Sequence, residues 1–131
     1  MIYDCFIFNN EVELLELRLN ILDPYVDKFV LTEGDTTFSG LPKESVYLQN
    51  KERFAKWEDK IIHNFIEIPD LPTTWDREIY SRNSPVSLGV FKDDDLILSS
   101  DLDEIPNPEI LEAVDEWVSD DTHFTFQQKR Y

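Results

Sequence analysis

The sequence predicts an α/β protein built on a mostly parallel sheet. Short runs rich in β-branched and aromatic residues, Ile2–Phe8, Lys28–Glu33, Ile61–Ile68 and a fourth from Asp95 to Ser100, have the length and composition of buried strands. Between the first two runs, Val12, Leu15, Leu19 and Leu22 recur at helical spacing and lay one apolar stripe along a helix. Strand, helix and strand within about thirty residues make a βαβ unit, whose two strands must run parallel.

Each element has its own local signals. Asn9-Asn10 breaks the first strand, and the helix is expected over Glu11–Leu22 with Asn10 as N-cap and Glu13 completing a capping box. Asp23-Pro24 ends it, because a residue before proline is pushed out of the α region. A polar loop from Gly34 to Lys43 follows the second strand, and Pro69 and Pro72 close the third. A helix begins at Trp75 and runs to Asn83, where Pro85 kinks or ends it. Asp93-Asp94-Asp95 turns the chain into the fourth strand. Asn107-Pro108 then opens a last helix, with Ile110, Leu111, Val114, Trp117 and Val118 as its buried stripe. Thr122–Gln128 reads as a fifth strand, an uncovered sheet edge through which copies of the chain would self-associate. With no repeats, linkers or low-complexity tracts, residues 1–131 are expected to form a single domain.

Composition narrows the partners. The chain carries 12 basic and 28 acidic side chains, a net charge of −16. Nucleic acid and anionic membranes both demand clustered Lys and Arg, so neither is an expected partner. An anionic small molecule stays compatible if a metal ion or a few arginines mask the local field. The lone cysteine, Cys5, sits in an apolar run and is expected to be a small core residue. No apolar run approaches the roughly 20 residues needed to cross a bilayer. The first residues lack the pattern of a signal peptide, and a cytoplasmic location is expected.

The chemistry-bearing feature is Asp101-Leu102-Asp103-Glu104-Ile105-Pro106, directly after the fourth strand. In an open α/β sheet, ligands bind outside the carboxyl ends of the strands. Two carboxylates at i and i+2 can face one crevice there and suit a hard divalent ion, Mg²⁺ or Mn²⁺, whose shell is often shared with substrate phosphates. The competing reading makes Asp101 and Asp103 turn residues that cap nearby backbone N–H groups. His63 and His123 lie in strands without ligand-like spacing and read as structural.

Six segments, taken in order, resemble glycosyltransferase family 17, the β-1,4-N-acetylglucosaminyltransferase-like group. They are Phe8–Glu11 leading into Leu14–Leu19, Val26–Val30 with Glu33, Ser39–Lys43, Asn50–Phe54, Trp75–Glu78 through Arg82-Asn83, and Asp101–Pro106. The resemblance implies a GT-A-like fold and transfer of a sugar from a nucleotide-sugar donor, a UDP-sugar such as UDP-N-acetylglucosamine, to a glycan acceptor with inversion. It places the family's DxD motif on Asp101 and Asp103 as ligands of Mn²⁺ or Mg²⁺, with Asp101 also at the donor and Glu104 in support. It places Phe8, Asn9 and Asn10 beside the nucleotide, although Asn9-Asn10 also reads as an ordinary strand-to-helix turn and cap. Glu33 falls near the base or ribose, where a lone acid at a strand end otherwise reads as a solvated side chain. Arg77 and Arg82 are diphosphate candidates through their planar, bidentate forks, and the plain alternative for each is a salt bridge to a neighbouring acid. Trp75 is read as core or cleft wall.

Members of this family are longer, and the part that builds the acceptor side lies beyond the match, which leaves the catalytic base unassigned. The resemblance therefore implies the donor-binding part of a transferase. Two other readings compete. A haloacid-dehalogenase-type phosphohydrolase also carries Asp-x-Asp after a strand, but near its N-terminus and without the Glu-Ile-Pro continuation seen here. A non-catalytic nucleotide-sugar-binding or interaction domain would bind the donor without turnover.

Overall fold

The computed structural model describes residues 1–37, 39–92, 95–107 and 129–130. Four parallel strands, β1 (Ile2–Ile7), β2 (Lys28–Gly34), β3 (Ile61–Ile66) and β4 (Leu96–Ser99), form one sheet in the order β3-β2-β1-β4. Helices α1 (Val12–Leu22), α2 (Val46–Gln49) and α3 (Thr74–Asn83) fall between them in turn, which makes the protein an α/β, Rossmann-like fold. A short β5 (Glu104–Ile105) pairs antiparallel with β6 (Lys129–Arg130).

Side chains alternate across the sheet and build two unequal cores. On one face, Phe6, Phe8, Phe29, Leu31 and Leu98 meet Leu15, Leu19 and Leu22 of α1, and Tyr47, Phe54 and Trp57 extend that cluster. On the other, Tyr3, Cys5 and Val30 form a smaller cluster covered by Leu88, Val90 and Phe91, with the Phe91 ring edge-on to Tyr3 at 4.9 Å. Cys5 is buried as expected, and burial pushes its thiol up to about 12.

Two local expectations need correction. The capping box at α1 does not form: the helix starts at Val12, and Glu11 turns its carboxylate back to accept the Asn10 N–H at 2.8 Å. Trp75, in the first turn of α3, is 63% exposed and joins neither core cluster. The segment after the Gly34–Lys43 loop holds α2 and a 3-10 helix, Lys51–Trp57, too short for a periodic signal to develop in the sequence. Pro85 acts as expected: α3 ends at Asn83 and the chain continues as a 3-10 turn, Ser84–Leu88. The expected last helix, the fifth strand over Thr122–Gln128 with its open edge, and His123 lie outside the described residues. Among the described residues the four-stranded sheet is edged by β3 and β4, and no helix is long and apolar enough to cross a membrane.

Candidate functional site

The strand order fixes where a ligand fits. From β1 the chain winds outward to β2 and β3, then crosses back to the other side of β1 as β4. The winding reverses at β1, with β2 and β3 on one side and β4 on the other, and a crevice opens at the carboxyl ends of β1 and β4, where an open α/β sheet binds its ligands. That crevice is lined by Cys5, Phe6 and Ile7 of β1, Ser99 and Ser100 at the end of β4, and Ser81, Arg82 and Pro85 from the α3 side.

The acid turn leaves β4 at this point. Ser100 ties it to the sheet by donating its N–H to the Cys5 carbonyl at 3.3 Å, and the turn closes through Glu104 N–H to Asp101 carbonyl at 3.0 Å. The carboxylates of Asp101, Asp103 and Glu104 lie with ligand oxygens all within 4.8 Å of one another. Among the described residues no backbone N–H donates to the carboxylate of Asp101 or Asp103. The turn is therefore real, but its side chains do not cap it. Three half-exposed carboxylates converging on one point fit a hard divalent cation by number and by chemistry.

Arg82 joins this group. Its Nη2 donates to Glu78 Oε1 at 2.8 Å, one helical turn away, and to Asp101 Oδ1. Glu78, opposed in part by burial and then joined by Asp101, holds the guanidinium pKa above its ordinary value. Arg77 goes elsewhere. Its Nη2 donates to the Leu71 carbonyl at 2.9 Å and lies against Gly40, whose φ of +90° is a conformation that glycine adopts without strain. A five-residue offset on α3 thus sends the two arginines to different loops.

Glu33 has partners that its sequence position did not reveal. It is fully buried at the end of β2. Oε1 accepts from Ser45 Oγ at 2.7 Å and from His63 Nε2 at 3.0 Å, and Oε2 accepts from Lys43 Nζ at 2.6 Å and Val46 N–H at 2.5 Å. Burial alone would raise its pKa, but the bonds from His63, Lys43, Ser45 and Val46 overcome it and hold the carboxyl at about 2. Neither a solvated acid nor one with lone pairs facing a ribose matches that environment: four protein donors fill it. His63 is structural, as expected, and its ring also packs on Tyr47 at 4.8 Å.

Phe8 is likewise a core side chain, 1% exposed, and only its backbone reaches the strand end. Asn9 and Asn10 are exposed there. Phe8 and Asn9 border a second crevice with Gly34, Thr36, Thr37 and Lys43, between the ends of β1 and β2. The structure thus brings Asp101, Asp103, Glu104 and Arg82 together, sets Asn9 and Asn10 one strand away, and withdraws Phe8, Glu33 and Arg77 into packing and loop support.

Two residues at the heart of this arrangement escaped the reading of the sequence. Arg18 of α1 and Asp4 of β1 are both fully buried, and Arg18 Nε and Nη2 grip the Asp4 carboxylate at 2.8 and 2.6 Å. The signal was present. Arg18 falls three after Leu15 and four before Leu22, inside the apolar stripe, and Asp4 interrupts an apolar strand.

A parallel sheet with a carboxylate cluster at the carboxyl end of β4 defines an α/β domain of the Rossmann-like type. The family model for glycosyltransferase family 17 matches residues 1–131, and the chain belongs to that family. No curated protein and no solved structure shows a match to it.

Proposed function

We propose that the chain binds a nucleotide-sugar for a metal-dependent, inverting glycosyl transfer, with a UDP-sugar such as UDP-N-acetylglucosamine as donor and a glycan as acceptor. The observation that carries the reading is the convergence of Asp101, Asp103 and Glu104 at the end of β4 with Arg82 beside them. Asp101 and Asp103 would supply the oxygen ligands of Mn²⁺ or Mg²⁺, and Glu104 a third carboxylate. An ion held by these residues would supply positive charge against a leaving diphosphate. Arg82 lines the crevice and offers N–H donors to the same phosphates, a geometry that guanidinium serves well. Asn9 and Asn10, exposed at the end of β1, would meet the nucleoside side of the donor. The inverting course and the N-acetylglucosamine donor rest on the family resemblance.

The test is calorimetric titration with UDP and then UDP-N-acetylglucosamine, in Mn²⁺ and in EDTA. Binding that requires the metal supports the proposal. Metal-dependent binding with no transfer to any glycan would favour the donor-binding module without turnover. Absence of binding in both buffers overturns the proposal and returns the acid turn to a purely structural role.

A further inference from the structure

The sequence distance between Arg18 and the acid turn hides how closely the two are joined. Besides gripping Asp4, Arg18 sends Nη1 to the carbonyls of Asp101, Leu102 and Glu104 at 2.9, 3.2 and 3.1 Å, and Nη2 to Ser100 Oγ at 2.7 Å. Ser100 Oγ in turn donates to the Glu104 carbonyl at 3.0 Å. A guanidinium has five N–H donors in a rigid plane, and here each of its nitrogens is engaged. One edge is fixed to the middle of β1, the other to the backbone of the turn, and the face lies 5.0 Å from the Phe6 ring.

Such an arrangement is costly as a stabilising device. Desolvating a charge pair this completely often offsets its attraction, and apolar residues of similar volume commonly serve a core as well or better. What the pair supplies that a leucine does not is direction. Carbonyls that all point inward to one cation hold the turn in a single conformation, in which Leu102 packs into the core and the half-buried carboxylates of Asp101, Asp103 and Glu104 gather together.

We propose that Arg18, anchored by Asp4, is a positioning residue that holds the backbone of residues 100–104 so that the carboxylates of Asp101, Asp103 and Glu104 converge on one cation. This rests on the metal reading above for its consequence, but the clamp itself can be observed in metal-free protein. Lysine in place of Arg18 keeps a cation for Asp4 and lacks the second edge that reaches the turn. Ser100→Ala removes one tie and leaves the Arg18–Asp4 ion pair in place.

The experiment measures amide hydrogen exchange in metal-free protein and Mn²⁺ affinity by titration of free Mn²⁺ in electron paramagnetic resonance. It compares the wild type with Arg18→Lys, Ser100→Ala and Asp103→Asn. The expected result is faster exchange confined to residues 100–105 in Arg18→Lys, with β2 unchanged, and Mn²⁺ affinity lowered about 10- to 100-fold, the range typical of groups that orient metal ligands. Ser100→Ala should show the same pattern more weakly, and it decides the matter if Arg18→Lys does not fold. Unchanged exchange in the turn overturns the clamp. Faster exchange with unchanged Mn²⁺ affinity, where Asp103→Asn does lower it, overturns the link to the cation. If Asp103→Asn leaves Mn²⁺ affinity untouched, the metal reading falls, and the exchange data alone then uphold or overturn the clamp.

Discussion

Acids stand at the carboxyl ends of two strands of one sheet, β2 and β4 with β1 between them, and they could hardly be more different. Glu33, closing β2, is fully buried, and both its oxygens are taken by protein donors. Asp101, past β4, keeps 42% of its side chain exposed and has two acids for neighbours and one arginine as partner. A carboxylate at the carboxyl edge of an α/β sheet becomes a binding group only where the fold leaves its lone pairs unspent. Glu33 is used up in organising a loop: Lys43 and Ser45 lie at its far end, and the Val46 N–H opens α2.

The contrast can be broken in order of effect. Glu33→Ala strips a buried cation and several donors of their acceptor and should cost about 3–5 kcal/mol of stability, read by urea denaturation, while Mn²⁺ affinity in the surviving folded fraction stays near wild type. Loss of Mn²⁺ binding there would erase the distinction between the two acids. Asp103→Ala should do the reverse, with unfolding little changed and Mn²⁺-dependent UDP binding weakened by more than the roughly 100-fold that outer groups cost. Arg82→Ala should lower affinity for UDP about tenfold, near 1.4 kcal/mol, and leave uridine unaffected; equal loss for both would mean packing. Asn10→Ala should change stability by less than about 0.5 kcal/mol, the range of an ordinary surface site, since no cap is made there.

Acid titration sharpens the same comparison. The Glu33 carboxyl is lowered from its ordinary 4.5 to about 2, so its protonation is favoured in the unfolded chain before the folded one. The stability it contributes is therefore complete above about pH 4.5 and lost as pH falls towards about 2. In Glu33→Ala that part of the acid-dependent loss should vanish from a plot of unfolding free energy against pH.

The strands, α1, α3 and the parallel sheet were legible because long elements with one buried stripe or a continuous apolar run leave a periodic trace. The acid turn was legible because its residues are contiguous. What the sequence concealed is whatever depends on distant partners. Nothing next to Glu33 announces Lys43, Ser45 and His63 as its donors, and the cap at Asn10 was outcompeted by the adjacent Glu11. Arg18 and Asp4 were legible in principle: each is a charge where the pattern demands an apolar side chain. Such a violation in two elements that must pack together signals a buried pair.

The reach of Arg18 also has a bearing on time. Its bonds to the turn span 83, 84 and 86 residues of chain, whereas β1, α1 and β2 are consecutive in sequence. Closing so long a loop comes late, since non-local contacts must wait for the entropy of closure to be met. A refolding chain would regain its β1-α1-β2 unit before the turn takes shape, and on the metal reading proposed above before its affinity for Mn²⁺. The interval between those two signals would measure how long the nascent protein exists as a scaffold that has not yet acquired its chemistry.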